Sequence, residues 1–228
     1  MRRRYVIGVV AVLGAAIGCR GSGVANREQQ STPDTRNPKP DTRASIVFLG
    51  TSLTAGYGLE DPTTQAYPAL IQAKLDSAGR RYRAVNAGVS GETSAGALAR
   101  IDWLLSRDSV AMLFIETGAN DALRGQNPDS VRARIQAIID RARRAPNPPR
   151  IVVVGMEALP NLGAGYVRRF RAIYPAVAQR NHAGLVPFLL AGVGGVDSLN
   201  QADGIHPTAQ GHRIMAANVW TVLEPITR

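Results

Sequence analysis

Residues 45–57 read Ser-Ile-Val-Phe-Leu-Gly-Thr-Ser-Leu-Thr-Ala-Gly-Tyr, a short apolar run that passes directly into a polar segment with two glycines. A short run of this kind, ended by glycine, indicates a buried strand and the loop that follows it. A later run, Ile151–Val154, is apolar at every position. Such continuous apolarity is typical of parallel strands that are covered on both faces. The chain therefore predicts strands buried between layers of helices.

Five apolar runs of this type alternate with longer amphipathic patterns. The predicted strands are Ser45–Leu49, Tyr82–Val85, Val110–Ile115, Arg150–Gly155 and Leu185–Pro187. The predicted helices are Tyr67–Ala78, Ser94–Leu105, Asp129–Arg144, Tyr166–Arg180 and Thr208–Leu223. This alternation predicts an α/β fold, a three-layer α/β/α sandwich around a five-stranded parallel sheet.

In such a sheet, ligands bind on the loops at the carboxyl ends of the strands. Four polar, glycine-containing segments follow predicted strands: 50–53, 86–92, 118–121 and 203–207. We expect these four segments to meet at one edge of the sheet. Their convergence is more informative than any one of them alone.

Two residues of these segments have the spacing of an acid–base pair. Asp203 precedes His206 by three residues, which allows a carboxylate to bind one ring nitrogen and leaves the other free as a base. Ser52, directly after the first strand, is the candidate nucleophile, although a helix cap would explain a serine there equally well. His182 lies in a helix-ending segment, Asn181-His182-Ala183-Gly184, and His212 lies within the last helical pattern, so both suit structural positions.

Acyl transfer also requires hydrogen-bond donors for a developing oxyanion. The backbone N–H groups of Ser52 and Gly91 and the side-chain amide of Asn120 are the candidates, with an ordinary turn at Asn120-Asp121 as the alternative. A phosphate-binding loop is excluded because no Lys-Ser/Thr follows Gly50–Gly58. The segment 88–92 is also one residue short of the Gly-x-Ser-x-Gly elbow of α/β-hydrolases.

The four segments resemble, in order and spacing, the motif blocks of the SGNH or GDSL hydrolase superfamily, and most closely its thioesterase I/lysophospholipase and arylesterase branch. The resemblance runs from about Ile46 to Leu223. It implies a flavodoxin-like fold and a serine esterase without a cofactor, acting on acyl or aryl esters, thioesters or lysophospholipids.

The resemblance also implies the roles of individual residues. Ser52 is the nucleophile, His206 the general base and acid, and Asp203 its orienting partner. The oxyanion hole is formed by Ser52, Gly91 and Asn120, and the loops with Leu123, Leu159 and Leu162 flank an apolar acyl pocket. One position departs from the pattern, because Thr51 replaces the aspartate of the usual Gly-Asp-Ser.

The N-terminal residues have the composition of a targeting segment. Arg2–Arg4 precede an apolar run of about 14 residues, shorter than the ~20 that span a bilayer. Ala16-Ile17-Gly18-Cys19 resembles a bacterial lipoprotein cleavage box, in which the cysteine carries the lipid. We therefore predict a signal peptide over 1–19, a flexible linker over 20–43, a hydrolase domain over 44–228 and a lipid-anchored envelope location, with plain secretion as the alternative.

Composition excludes several other classes of protein. The net charge is +10, but 1–43 holds eight Lys/Arg and three Asp/Glu, so half of the excess lies outside the predicted domain. No aromatic residues interleave with the arginine clusters, so a nucleic-acid partner is not expected. One cysteine and three histidines exclude a Cys-rich structural zinc site. The remaining alternatives are an envelope carbohydrate O-deacetylase and a noncatalytic lipoprotein that binds a ligand. Composition gives no evidence on oligomeric state.

Overall fold

A computed structural model describes residues 41–107 and 109–228 of the chain. Its sheet contains the strands β1 (Ala44–Gly50), β2 (Tyr82–Gly88), β3 (Val110–Ile115), β4 (Arg150–Val154) and β5 (Gly184–Val186). They lie in the order β2-β1-β3-β4-β5, and each neighbouring pair is parallel. The predicted five-stranded parallel sheet is confirmed.

Helices cover both faces of this sheet. Their bounds are α1 (Ser52–Ala55), α2 (Pro62–Gln65), α3 (Tyr67–Ser77), α4 (Ser94–Arg107), α5 (Ala119–Leu123), α6 (Pro128–Arg143), α7 (Ala164–Arg171), α8 (Ile173–Arg180) and α9 (Ala209–Ile226). Helix α3 contacts α9, whereas α4 contacts α6 and α6 contacts α8. These two groups are the outer layers, which explains why the strands are apolar on both sides.

The core lies in the middle strands. Ile46, Val47, Phe48 and Leu49 of β1 are all at most 1% exposed, and the ring of Phe48 packs on Phe114 of β3 with centroids 4.9 Å apart. From β1 the chain continues to β2, at one edge of the sheet, whereas from β3 it continues to β4, toward the opposite edge. The carboxyl ends of β1 and β3 therefore bound the crevice in which ligands of such sheets bind.

One predicted helix differs from the structure. The pattern Tyr166–Arg180 forms two helices, α7 and α8, which are separated at Ala172. Pro175 explains the break, because proline has no N–H to donate to the carbonyl of Arg171 and its ring crowds that carbonyl. Phe170 and Tyr174, on either side of the break, pack edge to face in the core with ring centroids 5.7 Å apart.

Candidate active site

Ser52 lies at the start of α1, one residue beyond the N-cap residue Thr51, and only 9% of it is exposed. Strand β1 ends at Gly50, where a Cβ atom would stand 1.9 Å from Thr54 Oγ1, so glycine is required for this close turn. The turn presents Ser52 at the carboxyl edge of the sheet.

A chain of hydrogen bonds joins Ser52 to His206 and Asp203. Ser52 Oγ lies 2.9 Å from His206 Nε2, and His206 Nδ1 lies 2.7 Å from Asp203 Oδ2. Because an ionised carboxylate only accepts hydrogen bonds, Nδ1 carries the ring proton, and Nε2 of the neutral ring accepts from the serine hydroxyl. This arrangement leaves His206 ready to take the hydroxyl proton.

Asp203 is held ionised by its neighbours. The hydrogen bond from the His206 ring lowers the pKa of Asp203 to about 2, with further contributions from the N–H groups of Ile205 and His206. Both N–H groups donate to Oδ1 at 3.0 Å. Tyr57 covers one side of the imidazole, with the two ring centroids 4.7 Å apart. The loop and Tyr57 together fix the orientation of the histidine.

The three residues predicted to form an oxyanion hole line one cavity together with His206. Gly91 has a φ of 77°, a backbone conformation that glycine adopts without strain. Asn120 donates one amide hydrogen to the carbonyl oxygen of Glu92 at 2.9 Å. Among the described residues no hydrogen bond engages the N–H of Gly91. The structure thus brings Ser52, Gly91 and Asn120 to one place.

Asp121, next to Asn120, has a structural position. It is fully buried and accepts hydrogen bonds from the N–H of Ser94 at 2.8 Å and from its hydroxyl at 2.7 Å, at the start of α4. Arg134 pairs with the same carboxylate at 3.3 Å. Asp121 therefore ties the loop after β3 to α4 and α6, and so holds Asn120 over the site.

The cavity beside Ser52 has a volume of about 960 Å³ and mostly apolar walls. Leu123 and Leu159 line it as predicted, whereas Leu162 does not. Leu162 is the last residue of a short 3-10 turn, which directs its side chain toward the core cluster. Ala158 and Pro160 complete the wall from the same loop as Leu159, as predicted. Four further apolar residues of the wall were not indicated by the sequence: Met156, Val167, Phe188 and Leu190.

Thr51 binds a buried carboxylate that sequence reasoning missed. Its N–H donates to Glu116 Oε2 at 2.7 Å, and its hydroxyl donates to the same carboxylate at 3.0 Å. Thr54 Oγ1 also donates to Glu116 at 2.9 Å and accepts from Tyr67 Oη at 2.8 Å. Glu116 thus holds the turn on both sides of Ser52. The signal that could have revealed it is a lone acidic residue directly after the apolar run of β3.

A second missed pair supports Gly91 and Asn120. Arg100 of α4 binds the carboxylate of Glu92 with two hydrogen bonds of 2.7 Å and donates to the carbonyl oxygen of Ala87 at 2.7 Å. Because Asn120 is bound to the carbonyl of Glu92, this ion pair fixes the loop that carries Gly91 against Asn120. The eight-residue spacing of Glu92 and Arg100 is too common to have indicated the pair.

The two other histidines have structural positions. His182 follows α8 with a φ of 47°, which is typical of a helix end. His212 is buried in α9, where its Nδ1 accepts a hydrogen bond from the N–H of Tyr67 at 3.2 Å. Burial lowers the pKa of His212 to about 4, so the imidazole ring is uncharged at neutral pH.

A serine, a histidine and an aspartate joined in this order, beside a cavity at the carboxyl edge of an α/β sheet, define a serine hydrolase. The chain belongs to the GDSL-like lipase/acylhydrolase family, whose model matches residues 48–214. This membership confirms the resemblance found in the sequence and the prediction of an ester hydrolase.

Individual relatives cover nearly the whole domain. Esterase TesA of Pseudomonas aeruginosa is 40% identical over 182 residues, which cover 80% of this chain and 89% of that protein. Thioesterase 1/protease 1/lysophospholipase L1 of Escherichia coli is 32% identical over 182 residues, covering 80% of this chain and 84% of that protein. Superposition on the crystal structure of TesA gives a TM-score of 0.75 at 40% sequence identity. The matched region covers 79% of the present chain and 98% of the crystallised TesA chain.

The buried carboxyl of Glu116 predicts a pH dependence of stability. Burial raises its pKa from 4.5 to about 7, against the opposing hydrogen bonds from Thr51 and Thr54. The folded state therefore holds the proton more tightly than the unfolded state. The resulting stabilisation is fully present below pH 4.5 and is lost as the pH rises through about 7. Its size is on the order of 3 kcal/mol.

Glu116→Gln removes this ionisable group. Chemical denaturation at several pH values should show that the unfolding free energy of the wild type, minus that of the variant, falls between pH 4.5 and about 7 and is flat above that. Glu60→Gln, which removes a carboxylate from the surface, is the matched control. If the difference in unfolding free energy between the wild type and Glu116→Gln did not change with pH, the buried position of the Glu116 carboxyl would be contradicted.

Proposed function

We propose that the protein is a serine esterase that works through an acyl-enzyme intermediate on Ser52. The observation that carries this proposal is the chain of hydrogen bonds from Ser52 through His206 to Asp203, at the wall of an apolar cavity. The hydroxyl oxygen of Ser52 attacks the ester carbonyl while its proton passes to His206 Nε2. Asp203 stabilises the imidazolium that forms.

The tetrahedral intermediate places a negative charge on the former carbonyl oxygen. The N–H groups of Ser52 and Gly91 and the side-chain amide of Asn120 stabilise this oxyanion. When the intermediate collapses, His206 gives its proton to the leaving alcohol, and the acyl group remains on Ser52. His206 then takes a proton from water, the resulting nucleophile attacks the acyl-enzyme, and Ser52 regains its proton as the acid leaves.

The preferred substrate in this proposal is an ester with a medium or long acyl chain or an aryl group. Support comes from the size of the cavity, about 960 Å³, and from its apolar wall, which includes Met156, Phe188 and Leu190. An acetyl group would leave most of such a wall without contact, so carbohydrate O-deacetylation is the weaker proposal. Thioesters and lysophospholipids are further candidates, supported by the relative from Escherichia coli, which is named a thioesterase and lysophospholipase.

We further propose that the protein is exported and anchored to a membrane by a lipid on Cys19. This part of the proposal is supported by the sequence alone, because Cys19 and the signal segment 1–19 lie outside the described residues. No helix within the described ranges is both long and apolar enough to cross a bilayer.

Purified residues 41–228 should hydrolyse p-nitrophenyl esters, with activity that rises from acetate toward medium or long chains because the cavity binds apolar groups. Ser52→Ala is the matched control and should retain circular dichroism but lose turnover. A preference for acetate would favour the deacetylase. Equal hydrolysis rates for the unmodified protein and for Ser52→Ala would contradict the esterase proposal and favour a noncatalytic lipoprotein that binds a ligand.

Asn120→Ala tests the oxyanion hole. Loss of one donor typically costs about 2.7–4 kcal/mol in the barrier, so kcat should fall roughly 10²–10³-fold. Steady-state kinetics with the best p-nitrophenyl ester measure this change. A loss below roughly tenfold would remove Asn120 from the proposed role.

A further inference from the structure

The nucleophile and its base follow strands that are not neighbours in the sheet. Ser52 follows β1, whereas His206 lies in the segment after β5, and β3 and β4 lie between these two strands. Three strand spacings amount to roughly 14 Å. Strand pairing alone therefore does not set the distance of 2.9 Å between Ser52 Oγ and His206 Nε2. A local connection between the two loops is required.

Gln201 supplies such a connection. Its side-chain amide Nε2 donates to the carbonyl oxygen of Tyr57 at 2.8 Å and to that of Pro207 at 3.0 Å. Its backbone N–H donates to the carbonyl oxygen of His206 at 2.7 Å. Gln201 thus binds the loop after β1 with its side chain, and the histidine loop with both its side chain and its backbone.

On the nucleophile side, the connection reaches Ser52 through the backbone. The N–H of Tyr57 donates to the carbonyl oxygen of Ser52 at 3.0 Å. Three hydrogen bonds to main-chain carbonyl oxygens therefore join four residues in this order: Ser52, Tyr57, Gln201 and His206. These bonds hold the main chains of the nucleophile and the base together, independently of the hydrogen bond between their side chains.

In the part of the chain that the structure describes, two hydrogen bonds join segment 51–58 to segment 200–207. One is the bond between the side chains of Ser52 and His206, which changes whenever the proton moves. The other is the bond from Gln201 to Tyr57, which takes no part in proton transfer. The second bond is therefore the one that can hold the two loops together while the first is broken.

Gln201 packs closely against the nucleophile loop without lining the cavity. A Cβ atom on Gly58 would stand 2.1 Å from Gln201 Oε1, so the amide lies directly against that glycine. The cavity wall includes Tyr57 and Asn200 but not Gln201. A change at Gln201 should therefore act on the geometry of the catalytic side chains rather than on contacts with the substrate.

We propose that Gln201 is a positioning residue for the reaction: by binding Tyr57 and His206, it holds the imidazole at hydrogen-bond distance from the Ser52 hydroxyl. The inference rests on the proposed function, because it concerns the transfer of the hydroxyl proton to His206. Such a step depends steeply on geometry, and a displacement of about 1 Å can lower its rate roughly hundredfold.

Gln201→Met in the full chain tests the proposal. Methionine has nearly the length of glutamine but no amide to donate to Tyr57 and Pro207. We expect kcat for p-nitrophenyl butyrate to fall roughly 10- to 100-fold, with KM changed less than about twofold. Fluorophosphonate labelling of Ser52 should slow by a similar factor, because it depends on the same activated hydroxyl.

Gln72→Met is the matched control. The Gln72 side chain also joins two elements, α3 and β2: it accepts from the N–H of Ala84 at 2.7 Å and donates to the carbonyl oxygen of Tyr82 at 3.2 Å. Tyr82 begins β2 at the amino edge of the sheet, away from the site. Gln72→Met therefore loses comparable hydrogen bonds, but its kcat and labelling rate should stay within about twofold of the unmodified values.

Gln201→Glu separates the donated hydrogen bonds from the packing of the side chain. It keeps the length and shape of glutamine, but its carboxylate at neutral pH only accepts hydrogen bonds. Its kcat should fall at least as far as that of Gln201→Met, and it carries the test if Gln201→Met lacks native circular dichroism. An unchanged kcat in Gln201→Glu would show that Gln201 acts by packing alone and would overturn the proposal.

Three further results would overturn it: an unchanged kcat in folded Gln201→Met, a loss expressed in KM alone, or an equal loss of kcat in Gln72→Met. The unmodified chain and Ser52→Ala are measured beside these variants. Equal rates for that pair contradict the proposed esterase itself. An active unmodified chain with unaffected Gln201 variants contradicts only the positioning role.

Discussion

The hydrogen bond between Ser52 and His206 joins two residues that are 154 positions apart in the chain. Neither residue creates this contact alone. It exists because parallel strands deliver the loops that follow them to one edge of the sheet, and because β1 lies inside that sheet, between β2 and β3. The same geometry brings Gly91 and Asn120 to the cavity.

A buried carboxylate fixes the loop that carries the nucleophile. Glu116 has no exposure to solvent and binds Thr51 and Thr54 on either side of Ser52. Thr51 replaces the aspartate of the Gly-Asp-Ser pattern that the sequence resembles, and its hydroxyl supplies Glu116 with a hydrogen-bond donor rather than a second carboxylate. A threonine at this position is therefore compatible with an intact nucleophile turn. The cost of burying Glu116 is visible in the rise of its pKa to about 7.

The sequence predicted the sheet and the residues that meet in the site, for reasons that are local. Apolar runs indicate buried strands, and the spacing of Asp203 and His206 depends on one short loop. What it could not predict depends on packing between distant segments. The burial of Glu116 is set by α1 and α3, and the direction of the Leu162 side chain is set by a 3-10 turn. The break before Pro175, by contrast, had a signal in the sequence, because proline in the interior of a helix removes one backbone hydrogen bond and tends to kink or break the helix.

Covalent labelling with a fluorophosphonate tests the central claim, that Ser52 is a nucleophile activated by His206. Peptide mapping by mass spectrometry of labelled residues 41–228 should find one adduct, on Ser52. His206→Ala, with native circular dichroism, should react much more slowly because no base takes the hydroxyl proton. An adduct on another residue, or equal labelling rates in the wild type and His206→Ala, would contradict the account.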